Sequence, residues 1–135
     1  MRGSFDYTRV RGFYTKLQAK SERFNSWLRR YLEGEARRLL VNLESRTPVG
    51  ETGKLKDSWF VQVINKSRNT LTIIAMNSMY YAQYVEIGFS YQSDGRTFWR
   101  EGVHMLQISL LEMRRQMPRR YNAELAAYLS GTGLS

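Results

Sequence analysis

Residues 47–88, TPVGETGKLKDSWFVQVINKSRNTLTIIAMNSMYYAQYVEIG, determine how the chain is expected to fold. Apolar and polar side chains alternate over residues 59–64 and again over residues 71–76, as they do in half-buried strands. The polar residues 66–69 between these runs predict the connection of an antiparallel hairpin. Because a lone hairpin is only marginally stable, we expect a third strand or a helix to pack against it.

A short helical turn is predicted on each side of this hairpin. Before it, Thr52 is placed to cap a turn over residues 53–58 through its hydroxyl. After it, Ser78 could cap a short helix that ends at Gly88, and a strand over residues 80–87 is the alternative interpretation. In the helical interpretation three side chains share one face: Tyr81, Tyr84 and Val85.

A long helical pattern precedes the central unit. Residues 16–46 carry apolar side chains at steps of three and four, which predicts an amphipathic helix. Pro48 disfavours helix at Thr47 and so marks its end. Glu35 is the one polar residue in the apolar stripe, and Gly34 costs this helix about 1 kcal/mol relative to alanine. The stripe consists of Phe24, Leu28, Tyr31, Glu35, Leu39 and Leu43.

A second helical pattern follows the central unit. Residues 89–97, FSYQSDGRT, are polar and turn-rich and predict an exposed loop, although a further edge strand could lie at its borders. Apolar steps from Trp99 to Met117 then predict a long helix that Pro118 ends. Residues 121–130 predict a last short helix. The apolar positions of the long helix are Trp99, Val103, Leu106, Leu110, Met113 and Met117.

These elements together predict an α+β fold. It has a long N-terminal helix, an antiparallel β-hairpin extended to a small sheet, and a C-terminal helix packed across that sheet. A length of 135 residues suits one domain. We expect that domain over residues 16–130, after a flexible or docking N-terminal arm at 1–15 and before a frayed tail at 131–135.

The net charge of +9 is concentrated at the two helical ends of the chain. Residues 1–47 hold 11 Lys/Arg against 5 Asp/Glu, residues 48–95 hold 4 against 4, and residues 96–135 hold 6 against 3. Such an excess favours nucleic acid or an acidic protein as a partner, or serves solubility alone. Three arginines of the first helix recur every seven residues on one ridge, which is either a solvated face or a contact line: Arg23, Arg30 and Arg37.

The residues predict no catalytic, cofactor or metal site, and therefore no enzyme. The chain has no cysteine, and its single histidine, His104, has no clustered carboxylates at ligand spacing. Glu86 lies in an aromatic patch that could raise the pKa of a general acid or base, but bonding to backbone amides or to an arginine is the favoured interpretation. Ser58 has no base partner. The glycine-rich turn is not a phosphate loop, since Lys54 is followed by Leu55.

No targeting or membrane-spanning segment is recognisable in the sequence. No apolar run approaches the ~20 residues that a membrane span requires, and the N-terminus lacks the apolar segment of a secretory signal. We therefore expect a soluble protein that is made and kept in a cytoplasm.

Two short motifs resemble those of the tail-completion, or head–tail joining (neck), proteins of long-tailed bacteriophages. That family shows a long helix ending in a TPV-type motif, then T-G-x-L-x-x-S, a hairpin, and Y-A-x-Y-V-E-x-G. The chain departs from the family after the second motif, where Phe89 replaces the usual threonine. The first motif is matched by Thr47, Pro48, Val49, Thr52, Gly53, Leu55 and Ser58, and the second by Tyr81, Ala82, Tyr84, Val85, Glu86 and Gly88.

The resemblance implies a non-enzymatic virion protein that needs no cofactor. It would form a ring, six-fold in symmetry, between the portal side of the capsid and the tail, and DNA would pass through its lumen. Its partners would be further copies of itself and the neighbouring head-closure and tail proteins, without a membrane, and it would assemble in the host cytoplasm. The alternatives are a basic nucleic-acid-binding module and, within the phage interpretation, a tail-terminator or head-closure protein.

Overall fold

The computed structural model describes residues 15–16, 22–67 and 70–132. It is a mixed α+β fold, so the predicted fold class is confirmed. The predicted N-terminal arm lies, apart from Thr15, outside the described residues. In chain order the elements are β1 (Thr15–Lys16), α1 (Glu22–Arg46), α2 (Lys54–Asp57), β2 (Trp59–Ser67), β3 (Thr70–Asn77), α3 (Ala82–Ile87), β4 (Gly88–Ser93), β5 (Arg96–Glu101) and α4 (Met105–Thr132).

Helix α1 begins later than the sequence pattern predicts. Lys16, expected at the start of the helix, lies instead in β1, which pairs antiparallel with β3 through Thr15↔Leu71 and Lys16↔Thr70. Helix α1 is described from Glu22 to Arg46, just before the Thr47-Pro48 pair. The start was wrong because pairing with β3, far along the chain, overrides local propensity.

Strands β1, β3 and β2 form a three-stranded antiparallel sheet in that order. The predicted hairpin is therefore present, and β1 supplies the third strand that its stability requires. Its register runs from Trp59↔Asn77 to Ser67↔Thr70, with an irregularity between Asn65 and Ser67. One face of this sheet packs on α1.

Residues 89–97 are exposed, as predicted, but the prediction of a loop is wrong: β4 and β5 form a second antiparallel hairpin there, in line with the alternative of a further strand at its borders. Asp94 and Gly95 connect the strands, both with positive φ (51° and 72°). That is the geometry of a tight hairpin turn, and an Asp-Gly pair is one of its preferred sequences. Trp99 consequently lies in β5 and does not begin the last helix.

The prediction that Pro118 ends the C-terminal helix is wrong. Helix α4 is continuous from Met105 to Thr132 and contains Pro118, so residues 121–130 belong to it and the expected frayed tail is helical as far as Thr132. The apolar stripe continues across the proline, since Tyr121 packs against Trp27 with ring centroids 5.9 Å apart and the ring planes tilted by 53°. This packing holds both halves of α4 on α1 and offsets the missing proline N–H.

The hydrophobic core lies between α1, α4 and the three-stranded sheet. Leu28, Leu32 and Leu43 of α1 and Ile73 of β3 are almost fully buried in it. Both long helices thus have one buried stripe, but Val103, predicted in the stripe of the second, precedes α4 and is 42% exposed. No helix of the described residues is long and apolar enough to cross a membrane.

Candidate functional site

The first motif begins with a threonine that joins three elements. The Thr47 hydroxyl donates to the carbonyl oxygen of Leu43 at 2.5 Å and accepts from Trp59 Nε1 at 2.7 Å. The sulfur of Met105 lies 3.4 Å away. Thr47 is buried, so one side chain links the end of α1 to β2 and to the start of α4. Pro48 and Val49 are exposed beside it.

The rest of the first motif builds helix α2. Thr52 Oγ1 accepts a long hydrogen bond, 3.4 Å, from the Lys54 amide, but the N-cap position is Gly53, which makes no side-chain cap bond. The predicted capping by Thr52 is therefore weak and displaced by one residue. Ser58 Oγ donates to the Lys54 carbonyl at 2.5 Å, and Leu55 enters the core. These residues shape a turn, and the Ser58 hydroxyl is engaged by the backbone.

Sequence reasoning missed Asn77, the residue that closes α2 onto the sheet. Its Nδ2 donates to the Leu55 carbonyl at 2.8 Å, and its Oδ1 accepts from the Met79 amide at 3.0 Å. The side chain is fully buried. An asparagine at the end of an apolar strand is a turn signal that could have indicated this role.

The second motif forms helix α3, so the helical interpretation is correct and the strand is not. The predicted cap at Ser78 is wrong, since Tyr81 occupies the N-cap position and makes no side-chain cap bond. Tyr81 and Val85 pack against the core, whereas Tyr84 is exposed. Gly88 follows the helix with φ 112°, and a Cβ there would collide with the Arg100 carbonyl of β5.

Glu86 is the centre of the second motif. Its side chain is only 3% exposed. One carboxylate oxygen accepts from the Leu106 amide at 2.7 Å and the other from the Gln107 amide at 3.0 Å. These amides lie in the first turn of α4 and have no partner within the helix. Glu86 therefore accepts hydrogen bonds from backbone amides, which is one of the two arrangements that the sequence favoured over an acid–base role.

The two motifs converge on the beginning of α4. Thr47 reaches Met105, and Glu86 reaches Leu106 and Gln107. Backbone bonds complete the junction, because the His104 amide donates to the Glu86 carbonyl at 3.1 Å. The motif residues thus fix where the C-terminal helix starts and in which direction it runs.

Two ion pairs join α1 to α4 farther along. Glu35, the polar residue of the apolar stripe, accepts from Arg120 Nε at 2.7 Å and from Nη2 at 2.6 Å. This contact raises the pKa of Arg120. Tyr31 donates to the Met117 carbonyl at 3.1 Å, and burial together with the Glu35 charge raises the pKa of Tyr31. Arg46 pairs with Glu112 near the other end of the helix contact.

His104 lies in the turn before α4 and not within the helix, with a positive φ of 54°. Its Nε2 is 2.6 Å from Glu101 Oε1, while Trp99 Nε1 donates to Oε2 of the same carboxylate at 3.0 Å. The bonds from Trp99 and then His104 lower the pKa of Glu101. This small network closes the base of the β4–β5 hairpin. Within the described ranges, no three His, Cys, Asp or Glu side chains could hold a metal ion together.

The predicted arginine ridge lies on the outside of α1. Arg23, Arg30 and Arg37 are exposed, and none of them has an ion-pair partner among the described residues. Arg37 also lines a groove of about 520 Å³ between α1 and α4. The ridge is thus available to a partner and is remote from the motif junction at the start of α4.

One family model matches the chain. Its description reads "Bacteriophage HK97-gp10, putative tail-component", and it matches residues 11–88, which is more than half of the chain. The match contains both motifs and ends where β4 begins. Searches of curated proteins and of solved structures gave no match.

Proposed function

The chain belongs to the HK97-gp10-like family of bacteriophage tail components, and from this we propose that it is a tail-completion, or head–tail joining, subunit of the phage neck. In this role it connects the portal side of the capsid to the tail and has no enzymatic activity. A tail component is a part of the virion and contacts other phage structural proteins. The finer assignment rests on the motif resemblance together with the geometry described above.

One observation carries the proposal: the motif residues are used for architecture. Both oxygens of Glu86 accept backbone amides of α4, and the Thr47 hydroxyl is bonded on both sides. Polar groups so engaged hold a scaffold and are not poised for chemistry. Among the described residues, the arginines of the ridge, which have no ion-pair partner, lie on an outward-facing surface, as expected of an assembly subunit.

We propose that the subunit forms a closed ring of six copies around a passage for DNA. A head-to-tail ring needs two different, complementary surfaces on each subunit. Exposed apolar side chains on the helices would contribute to these surfaces. Those on α1 and α4 are Val41, Ile108 and Leu111.

The arginine ridge suits the contact with a neighbouring ring. Three guanidinium groups in one line, with no ion-pair partner among the described residues, match an acidic protein surface, which they would hold in register more than bind tightly. The proposed partners are the head-closure or portal-side protein and the tail-side protein. Tight phosphate binding by the same ridge would hinder DNA passage, so we favour a protein partner.

A phage lacking this protein tests the role. We expect complete heads and complete tails to accumulate separately in electron micrographs, and the purified protein to join them. Joined, infectious particles in its absence would refute the proposal. Tails of uncontrolled length would indicate a terminator, and heads that lose their DNA a head-closure protein. Native mass spectrometry of the purified protein tests the six-fold ring independently.

The variant Arg30→Glu with Arg37→Glu tests the ridge. Both side chains are exposed, so we expect an unchanged thermal unfolding midpoint but at least a ten-fold loss of joined particles. Glu33→Gln, an exposed neighbour on the same helix, is the control. Unimpaired joining by the double variant would remove the ridge from the interface.

Nucleic-acid binding is the second candidate function, and the same arginine ridge favours it. Affinity for duplex DNA measured over a range of salt concentrations separates the two. Sub-micromolar binding at physiological salt with a steep salt dependence is expected of a nucleic-acid-binding module. A joining subunit should show only weak binding that salt abolishes.

A further inference from the structure

We propose that the β4–β5 hairpin is a docking site for an acidic strand of another virion protein, which adds to the free edge of β5. The proposal deepens the joining role and rests on it only in naming the partner as a virion protein. It concerns a surface separate from the arginine ridge of α1.

One face of the hairpin combines aromatic rings with arginines. Residues directly opposite in an antiparallel pair project to the same side, and the register pairs Phe89 with Arg100, Tyr91 with Phe98, and Ser93 with Arg96. These six side chains therefore share a face, which we call the aromatic–arginine face. Aromatic residues and arginine are the types most enriched where proteins bind each other.

Nothing in the described part of the chain covers this face. Every residue from 89 to 101 is exposed, and the rings of Phe89, Tyr91 and Phe98 are 38–45% exposed. A two-stranded hairpin with both faces in water is marginal, and a third strand is the usual remedy. β4 and β5 form a two-stranded sheet, so no described strand lies beside the outer edge of β5.

The charge of the face selects an acidic occupant. Arg96 and Arg100 make no ion pair among the described residues. Glu101 projects to the opposite face, where Trp99 and His104 engage it. A second copy of this chain is disfavoured, since the chain carries a net charge of +9 and would bring like charge to the arginines.

The spacing predicts the pattern of the partner strand. Arg96 and Arg100 are four residues apart on one strand, roughly 13 Å, with Phe98 midway between them. A strand paired with β5 would set carboxylates opposite both arginines and an apolar side chain opposite Phe98. The expected segment therefore reads acidic-x-apolar-x-acidic in extended conformation.

A protein strand fits this face better than nucleic acid does. The rings of Tyr91 and Phe98 stack on each other, with centroids 5.6 Å apart and an interplanar angle of 24°. Their facing π-surfaces are thus occupied, whereas binding of single strands depends on free ring faces that bases can stack upon. The parts of Tyr91 and Phe98 that remain exposed (45% and 42%) suit apolar side chains.

A capped peptide, Thr-Glu-Thr-Val-Thr-Glu-Thr, titrated into the ¹⁵N-labelled protein tests the site directly. We expect NMR shift changes concentrated in β5 and a ten-fold or greater loss of affinity in the variant Arg96→Gln with Arg100→Gln. The control variant Gln92→Glu with Thr97→Glu alters the net charge by the same amount on the opposite face and should bind like wild type. A peptide with lysine in place of glutamate should not bind.

Three results would overturn the proposal: no shift changes at millimolar peptide, equal binding by the arginine variant, or a stronger response to single-stranded DNA than to the peptide. Complementation of the phage lacking this protein separates this failure from that of the joining role. If wild type joins heads to tails and the arginine variant joins them equally well, the joining role stands and the hairpin site falls.

Discussion

Glu86 holds the C-terminal helix through its two carboxylate oxygens. A buried charge is costly unless it is compensated, and here the compensation comes from the Leu106 and Gln107 amides at the positive end of α4. The anion and the helix N-terminus stabilise each other. The requirement is for a group with two acceptor oxygens, which among the side chains only a carboxylate provides.

The variants Glu86→Gln and Glu86→Ala test this role. An amide offers one acceptor and places a donor against the second helix amide, so we expect Glu86→Gln to lower the free energy of unfolding by about 1–3 kcal/mol. Glu86→Ala, which leaves both amides unsatisfied, should cost more. Urea denaturation measures both. Glu51→Gln, at an exposed site, is the control, and a Glu86→Gln value within 0.5 kcal/mol of wild type would contradict the argument.

The buried polar partners differ in how far the sequence reveals them. Glu86 stands out locally as a carboxylate among aromatics, so a structural role could be proposed before its partners were known. Arg120, in contrast, lies 85 residues from Glu35, and nothing in the sequence near either residue indicates the pair. Glu35 is 2% exposed. Its position in an apolar stripe indicates that its charge requires a partner, but not which residue supplies it.

Among the elements, those with a local period were predictable and those set by distant packing were not. The alternation of apolar and polar side chains predicted β2 and β3, and apolar side chains at steps of three and four predicted α1. Strand β1 forms by pairing with β3. Helix α4 continues beyond Pro118 because Tyr121 packs against Trp27 of α1. The β4–β5 hairpin, in contrast, was predictable from the sequence, because Asp94-Gly95 is a recognisable turn signal flanked by alternating aromatics.

Gly34 weakens α1 without a structural need. A Cβ at this position would meet only Arg37 Nη2, at 3.8 Å, so Gly34→Ala should raise the free energy of unfolding by about 1 kcal/mol. Thermal or urea denaturation measures the change. The comparison variant is Gly53→Ala at the start of α2, where φ is 68° and an alanine is strained. Its effect should have the opposite sign, and a destabilising Gly34→Ala would show that α1 requires the glycine.

In the whole molecule, α4 is held to the rest of the fold at several points. Thr47 and Glu86 bond to its first turn, the Arg46–Glu112 pair joins it to α1, and the Glu35–Arg120 pair does so again about two helical turns farther on. The surfaces left over are the arginine ridge, the helix groove and the hairpin. A rigid body with several outward contacts is what a joining subunit between two assemblies requires.

The helix contact should make stability sensitive to alkaline pH. Burial, followed by the nearby Glu35 charge, raises the pKa of Tyr31 above its ordinary value of 10.0. Above that value the unfolded chain loses the Tyr31 proton while the folded protein retains it. The stabilisation from this group is therefore complete below about pH 10 and is lost as the pH rises toward the folded-state pKa. Tyr121, whose pKa burial also raises, acts in the same direction.

Urea denaturation between pH 8 and pH 11 tests this coupling. We expect the free energy of unfolding of wild type to fall above about pH 10. In Tyr31→Phe it should fall less steeply, because no proton is released from this position on unfolding. That variant also loses the bond to the Met117 carbonyl, about 1 kcal/mol at every pH, so the slope and not the absolute value is decisive. Tyr84→Phe, at an exposed ring, is the matched control, and parallel slopes for wild type and Tyr31→Phe would show that the hydroxyl is not held between the two helices.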